Sequence, residues 1–541
     1  MIGGTTERAN EPGVCASGPL RVNEMPSLDS GRETYRAVGS VLAPRWMRLL
    51  GPSPWFHDDS VAGGLQNYYR ASAVLALGLY CELAAQRPES SYQRECVRAG
   101  LVRWQFLLGR DGRPRSRAAR RDPMTGAAAA QVVRLLAEAT SFQTATLLDD
   151  LALHLHWLAR GNERYCWIEA VTVSALCDGA TLVRDAKLLQ AARQRLAGLL
   201  ARQDEEGWFP GEHGVELSRC SAMVDSLGRV WCEHEWPELE APLQRTLQFG
   251  LALAGRNAVD LAMTLGPAGP YGVELLSSNS PQAATIARKC REALAALDAS
   301  AAALLGDGAC AELGVSAMLA AMYAPARLPK PIDEADDGSV RFPRAGVWLE
   351  RTSAYRAVVA ARRGGSMSVR WRDGSVMNDT GVVVVLPLGI KSSGLASGVG
   401  EVRFAATSVL MRGILRRVAG TGERRTRRWF PFWRRPAADT ISQGEHGFHP
   451  HLVDHFEREI TFGDDSITLR DRVDCLLPCV AIVLESPAPW SADGEGVAPP
   501  GGPPMFLEGG RHVEITRVYQ RGQLVERRVR RLARGEDRSE H

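Results

Sequence analysis

The sequence predicts an α+β multidomain chain: an N-terminal (α/α) toroid of helical hairpins followed by a C-terminal antiparallel β-sandwich. Three observations carry this. Apolar residues recur at helical spacing from about residue 60 to 325, and a Pro- and Asp-rich stretch, ARLPKPIDEADDGS, follows at 326–339. Beyond it the apolar runs are short, β-branched and separated by turn residues. Helices first and strands second places the two in separate layers or domains.

Taken in order, residues 1–50 lack sustained periodicity and are expected as an arm with room for one short helix. Residues 51–325 form the helical domain. In VAGGLQNYYRASAVLALGLYCELAAQ, Leu65, Tyr69, Ala73, Ala76, Leu79 and Leu83 fall near one helical face. Further helical runs follow at about 89–108, 123–141, 143–160, 165–181, 185–203, 218–231, 236–255, 281–305 and 309–324, many parted by Gly or Pro. Several, such as IEAVTVSALCDGATLV, are apolar on more than one face, which suits helices enclosed by neighbours. Helices of similar length joined by alternating short and long loops suit a ring. After the 326–339 linker, residues 340–520 carry the strand-like runs GVWLERT, YRAVVAARR, SMSVRWRD, GVVVVLPL, VRFAATSVLM, REITFGDDSITLRDRV, CVAIVLES and HVEITRVYQR, the pattern of a sandwich. Residues 521–541 read as a basic, disordered tail.

The composition is that of an ordinary globular protein, with 45% hydrophobic and 23% charged residues, and 541 residues exceed one compact core. A net charge of +3 argues against nucleic acid as the partner. Eleven cysteines are scattered, and the close pair Cys475 and Cys479 has no companion pair, which argues against structural zinc. Buried reduced thiols and a polar N-terminus without an apolar core predict a cytoplasmic protein, periplasmic if the true start lies elsewhere. No apolar run reads as a membrane span.

One segment is too rich for a plain connection. QDEEGWFPGEHGVELSRCSAM (203–223) packs Trp208, Phe209, Pro210, His213 and five acidic residues between two helices. Its aromatics suit either a sugar-binding rim or a plug at the end of a helical ring. His213, next to Glu212, has the side chain whose unperturbed pKa best suits a base near neutral pH, against the default of an exposed loop histidine. Tyr271, in PAGPYGVELL, sits in an expected tight turn that presents its phenol, unless the ring is simply packed. The cluster HGFHPHLVDH holds metal-ligand residue types at His446, His449, His451, Asp454 and His455, but no metal is expected, and no cofactor. MRGILRRVAGTGERRTRRWFPFWRRP (411–436) interleaves nine arginines, between 412 and 435, with Trp429, Phe430, Phe432 and Trp433. It suits an acidic glycan, an anionic membrane surface or a protein partner.

The order of these segments resembles the heparinase II/III-like polysaccharide lyases over most of residues 60–485. The residues that carry the resemblance are GNERYCWIEAVTVSALCDGATLV, QDEEGWFPGEHG, GPAGPYGVELL, WRDGSVMNDTGVVVV and HFEREITFGDDSITLRDRV. It implies an acidic polysaccharide or oligosaccharide as partner and cleavage of uronate-containing chains by β-elimination. That reaction needs the C5 carboxylate neutralised, a base for the adjacent proton and an acid for the departing O4. The resemblance assigns Asn162, His213, Tyr271 and His455 to catalysis and Arg164, Trp208, Glu212 and Arg219 to substrate. Asn162 equally suits a helix N-cap. Arg219 or Cys220 stands where the family carries a Tyr, AARRGGSMSVRW lacks the family's His, and Asp379 matches a metal-holding position of some relatives without the companion His. Two alternatives stay open: a catalytically degenerate glycan-binding or surface-polysaccharide assembly protein, and a membrane- or partner-docking protein acting through 411–436.

Overall fold

The computed structural model of the protein describes residues 30–50, 63–84, 90–254, 269–330, 332, 338–393, 403–404, 453–475, 481–484, 505–508 and 512–531. Short gaps fall at 118, 162, 211–214, 216, 296, 300–301, 303–304, 306, 361–365, 374, 380–381, 387–389 and 522.

Twelve α-helices precede the strands among these residues: α1 (Ser30–Leu50), α2 (Gly63–Leu83), α3 (Ser90–Phe106), α4 (Pro123–Glu138), α5 (Ala145–Ala159), α6 (Cys166–Val183), α7 (Ala186–Leu200), α8 (Leu217–His234), α9 (Glu240–Ala254), α10 (Tyr271–Leu276), α11 (Pro281–Ala295) and α12 (Asp307–Tyr323). Local chemistry sets several starts. Asp122 accepts from the Met124 amide ahead of Pro123 at the first turn of α4. Thr144 accepts from the Leu147 amide at α5, and Asp185 from the Lys187 amide at α7.

The helices close a circuit. α2 packs on α4, α4 on α6, α6 on α8, α8 on α10, α10 on α12, and α12 returns to α2. Around it, α1 lies on α12 and α2, α3 on α2, α5 and α7 on α6, α9 on α8 and α11, and α11 on α10 and α1. α6 is, among the described residues, the one helix long and apolar enough to cross a membrane, which the sequence reading missed, yet most of it is buried among its neighbours. Where the sequence offered a short helix at best, α1 runs for 21 residues and buries Tyr35, Val38, Leu42, Trp46 and Leu50 in the main core. Its periodicity is masked by Gly39 and Pro44 within the run.

The strands form antiparallel sheets. The first has order β1-β2-β3-β4-β5, from β1 (Gly338–Phe342), β2 (Val347–Arg351), β3 (Tyr355–Ala360), β4 (Ser366–Trp371) and β5 (Val376–Asp379). A second has order β12-β11-β6-β7-β8, from β6 (Val382–Leu386), β7 (Ile390–Ser393), β8 (Arg403–Phe404), β11 (Ala481–Leu484) and β12 (Met505–Glu508). A third has order β14-β13-β10-β9, from β9 (Val453–Phe462), β10 (Ser466–Cys475), β13 (His512–Gln520) and β14 (Gln523–Arg531). The expected disordered tail thus begins with a strand: β14 pairs along β13 from Gln523↔Gln520 to Arg531↔Val513. The first and third sheets share a core of Tyr355, Val359, Val369, Trp371, Met377, Ile467 and Leu469.

Between those two sheets sits a buried ionic quartet. Arg458 donates to both oxygens of Asp471 at 2.5 and 2.9 Å and to Asp379 at 2.8 Å, while Arg517 bridges the same two carboxylates. Charges this deep are tolerated because each is paired and hydrogen-bonded. Asp379, whose match suggested a metal in some relatives, here takes two guanidinium groups instead.

Candidate functional site

The circuit of helices encloses a recess. Its lining comes from five of the six helices: Tyr68 (α2), Gln131 and Arg134 (α4), Val171 (α6), Ser221, Asp225 and Ser226 (α8), and Glu312 and Ser316 (α12). The sixth, α10, supplies the Gly272 amide, which donates to Asp225 at 2.6 Å. That contact needs glycine, since a Cβ at Gly272 would lie 2.5 Å from backbone atoms of Val224 and Asp225. The empty space, counted out to solvent, is about 570 Å³.

Behind the Tyr68 and Glu312 side of the lining lies an aromatic and charged cluster. Trp167 lies edge-on to Tyr68, with ring centroids 5.4 Å apart. The Arg219 guanidinium sits 4.2 Å above the Trp167 ring and donates to Glu312 at 2.6 Å. Gln131 hydrogen-bonds the Tyr68 phenol, yet burial, reinforced by Glu312, drives that phenol well above its ordinary pKa. Tyr68 therefore keeps its proton at neutral pH.

The floor holds a buried acid. Burial pushes the Asp225 carboxyl up to about 6, against the pull of the Gly272 amide, the Ser316 hydroxyl and Arg134. It is a group of the recess that exchanges its proton near neutral pH. Arg134 donates to Ser174 and approaches Asp178 at 3.8 Å. Behind it, Arg229 contacts Asp178 at 2.9 Å, Glu233 at 3.0 Å and Glu138, and donates to the Tyr271 hydroxyl at 3.2 Å. Tyr323 donates to the other oxygen of Glu138. Arg134, Asp178, Arg229 and Glu138 thus form a chain of alternating charge behind the recess.

The residues expected from sequence distribute unevenly. Arg219 meets this recess through Glu312. Arg164 is exposed in the turn before α6, stacked 5.9 Å from the neighbouring Tyr165 ring, and α6 carries Trp167. Tyr271 opens a short helix, only 1% exposed, with its hydroxyl on Arg229 rather than presented by a turn. It stands behind the recess, its amide donating to Ser316 at 2.9 Å. Asn162, Glu212 and His213 lie outside the described residues, as do the side chain of His455, whose backbone pairs with Asp474 in β9, and the segment 411–436. Among the described residues no group of three or more His, Cys, Asp or Glu is arranged to hold a metal.

Trp208 is 4% exposed, far from a rim. It packs with Val215, Phe249 and Leu253 against Ala345, Val347, Leu349 and Val358 of the first sheet. The acids beside it clamp the β1–β2 turn: Glu206 accepts the Arg344 and Ala345 amides at 2.9 and 2.8 Å, and the Arg344 side chain pairs with Asp204 at 2.9 Å and Glu205 at 3.0 Å. Gly207, at φ +93°, lets the segment turn against the Arg245 carbonyl. The unusual composition of 203–210 joins helices to strands.

Sequence reasoning missed Arg134, Asp225 and Glu312. A signal existed: each of the three is a lone charge inside an apolar helical run (AQVVRLLA, SAMVDSLG, ACAELGVS), which a helix buries only when something pairs with it.

No protein-family model and no curated protein sequence matches the chain. Among solved structures it is similar to a chondroitin AC lyase of Streptomyces coelicolor A3 in complex with chondroitin sulphate, at 12% identity and TM-score 0.48, covering 84% of this chain and 71% of that one. It is also similar to a xanthan lyase of Paenibacillus, at 10% identity and TM-score 0.46 over 86% of this chain, where it spans about half (47%) of that protein. A GH127 β-L-arabinofuranosidase of Geobacillus stearothermophilus T6 aligns at 10% identity and TM-score 0.33, over 93% of this chain and 92% of that one.

Proposed function

We propose that the protein binds an acidic, uronate-containing polysaccharide at the mouth of the recess and cleaves it by β-elimination, as a heparinase II/III-like lyase with a helical toroid and a β-sandwich. The observation that carries the reading is the side of the recess formed by Tyr68 and Glu312, with the Arg219 guanidinium held on Glu312 at 2.6 Å and packed over the buried Trp167 ring. In this reading the substrate carboxylate replaces Glu312 on Arg219, which neutralises the charge that opposes removal of the C5 proton. Asp225, poised at about 6, takes that proton, and the Tyr68 phenol, kept protonated by burial, donates to O4 as the C4–O4 bond breaks. The carboxylate side of the recess belongs to Arg134 and Arg219, and the acidic glycan is the partner. No residue of the described chain argues for a compartment, and the cytoplasmic expectation stands as part of this proposal.

One observation favours the second reading, a glycan-binding protein without turnover: both guanidinium groups of the recess already face protein carboxylates, Glu312 and Asp178. The test incubates the full chain with uronate-containing glycans and follows the far-ultraviolet absorbance of the unsaturated uronide. The lyase reading expects product, and a loss of at least about 100-fold in Tyr68→Phe. Product that forms equally in Tyr68→Phe overturns the assignment, and binding without product replaces the lyase with the binding protein.

A further inference from the structure

Helix α3 is apolar on two opposite faces. Val97, Gly100, Leu101 and Trp104 are buried, and α2 is the neighbour. On the far side, Tyr92, Val102 and Phe106 are exposed by 66%, 50% and 58%, with exposed Ala99 between them. Three of the seven large hydrophobic residues exposed among the described residues therefore lie on one helix. Their spacing, 92–99–106 with 95 and 102 between, is a heptad seam, the pattern by which one helix packs on another. A helix apolar on both faces is ordinarily covered on both.

We propose that this outer face of α3 joins two copies of the chain, the two helices running antiparallel about a two-fold axis at Ala99. The sequence is self-complementary in that register. Tyr92 lies opposite Phe106 of the second copy, the small Ala99 meets itself where the helices approach most closely, and Glu95 lies opposite Arg103, each contact occurring twice. Glu95 sits in the middle of the apolar seam, 63% exposed, with Arg98 as its intrachain partner at 2.5 Å. A carboxylate there suits a facing cation and discourages parallel or shifted pairings.

Sedimentation equilibrium of the full chain, from micromolar concentration upward, tests this. The average mass is expected to climb from that of one chain, 58.9 kDa, toward twice that value. Val102→Glu places a second carboxylate in the seam of each copy and is expected to weaken association at least about 100-fold. Val525→Glu, at another exposed apolar residue on β14 (56% exposed), is expected to change nothing. Glu95→Arg sets like charges opposite each other twice and should cost about tenfold, and adding Arg103→Glu should restore the affinity by exchanging the signs. A mass of one chain at every concentration, which would leave the face to a different occupant, overturns the proposal. So does association that Val102→Glu leaves intact, or a charge exchange that fails to restore what Glu95→Arg removes.

Discussion

Replacing Asp225 by Asn should make the protein's stability depend on pH in a way that isolates this one carboxyl. In the folded chain its pKa is about 6, against an ordinary 3.8. The folded state therefore holds its proton more tightly than the unfolded chain between those values, and stability falls as pH rises through that window. From that difference, ionising Asp225 costs about 3 kcal/mol at pH 7 and about 2 kcal/mol at pH 5, a change of about 1 kcal/mol. The amide of the Asp225→Asn variant does not titrate, while its side-chain oxygen can still accept from the Gly272 amide. The wild type contains an opposing contribution: His154, fully buried with its Nδ1 hydrogen donated to the Gly112 carbonyl at 2.6 Å, is pushed down to about 4. Its stability contribution is lost as pH falls from 6.5 toward 4. Comparing mutant with wild type at each pH cancels His154 and every other group. Urea unfolding, followed by tryptophan fluorescence and circular dichroism at pH 5 and 7, should show Asp225→Asn gaining about 1 kcal/mol on the wild type between the two. No gain, or a loss, would mean that Asp225 is not held protonated by burial, and its role as the proton-exchanging group of the recess would go with it.

Other changes should act through different contacts. Trp208→Ala opens a cavity between α9 and the first sheet and should cost about 3–5 kcal/mol, with the strands unfolding at lower urea than the helices. Asp471→Asn leaves Arg458 and Arg517 with half their counter-charge at a fully buried place, and chemical unfolding should show a loss of about 3–5 kcal/mol. His154→Leu, set between Trp104 and Trp157, should flatten the acid limb of the stability profile below pH 6.5, visible as a smaller drop in melting temperature between pH 7 and pH 5.

The order of helices and strands was legible because the two periods, 3.6 and 2, differ wherever one face is buried. Several starts fell within a residue or two of the observed ones, such as α7 at Ala186 and α11 at Pro281. The misses have physical reasons. β14 reads QLVERRVRR, mostly exposed and charged, so no apolar alternation announces it, and its pairing with β13 makes it a strand. Trp208 and its acidic neighbours have the composition of a sugar-binding rim, but the same residues serve to seat a sheet on helices, and only the position of the β1–β2 turn distinguishes the two. In the site, Arg219 was reachable by resemblance. Arg134, Asp225 and Glu312 were not, because what unites them is a closed circuit of helices that brings residues far apart in sequence to one axis.

The most direct measurement is a crystal structure with a short uronate oligosaccharide. A sugar ring at the mouth of the recess, its carboxylate on Arg219 in place of Glu312 and its glycosidic oxygen at Tyr68, is the predicted result. A sugar seated on the sheets or the outer helices, with the Arg219–Glu312 pair undisturbed, would contradict the account.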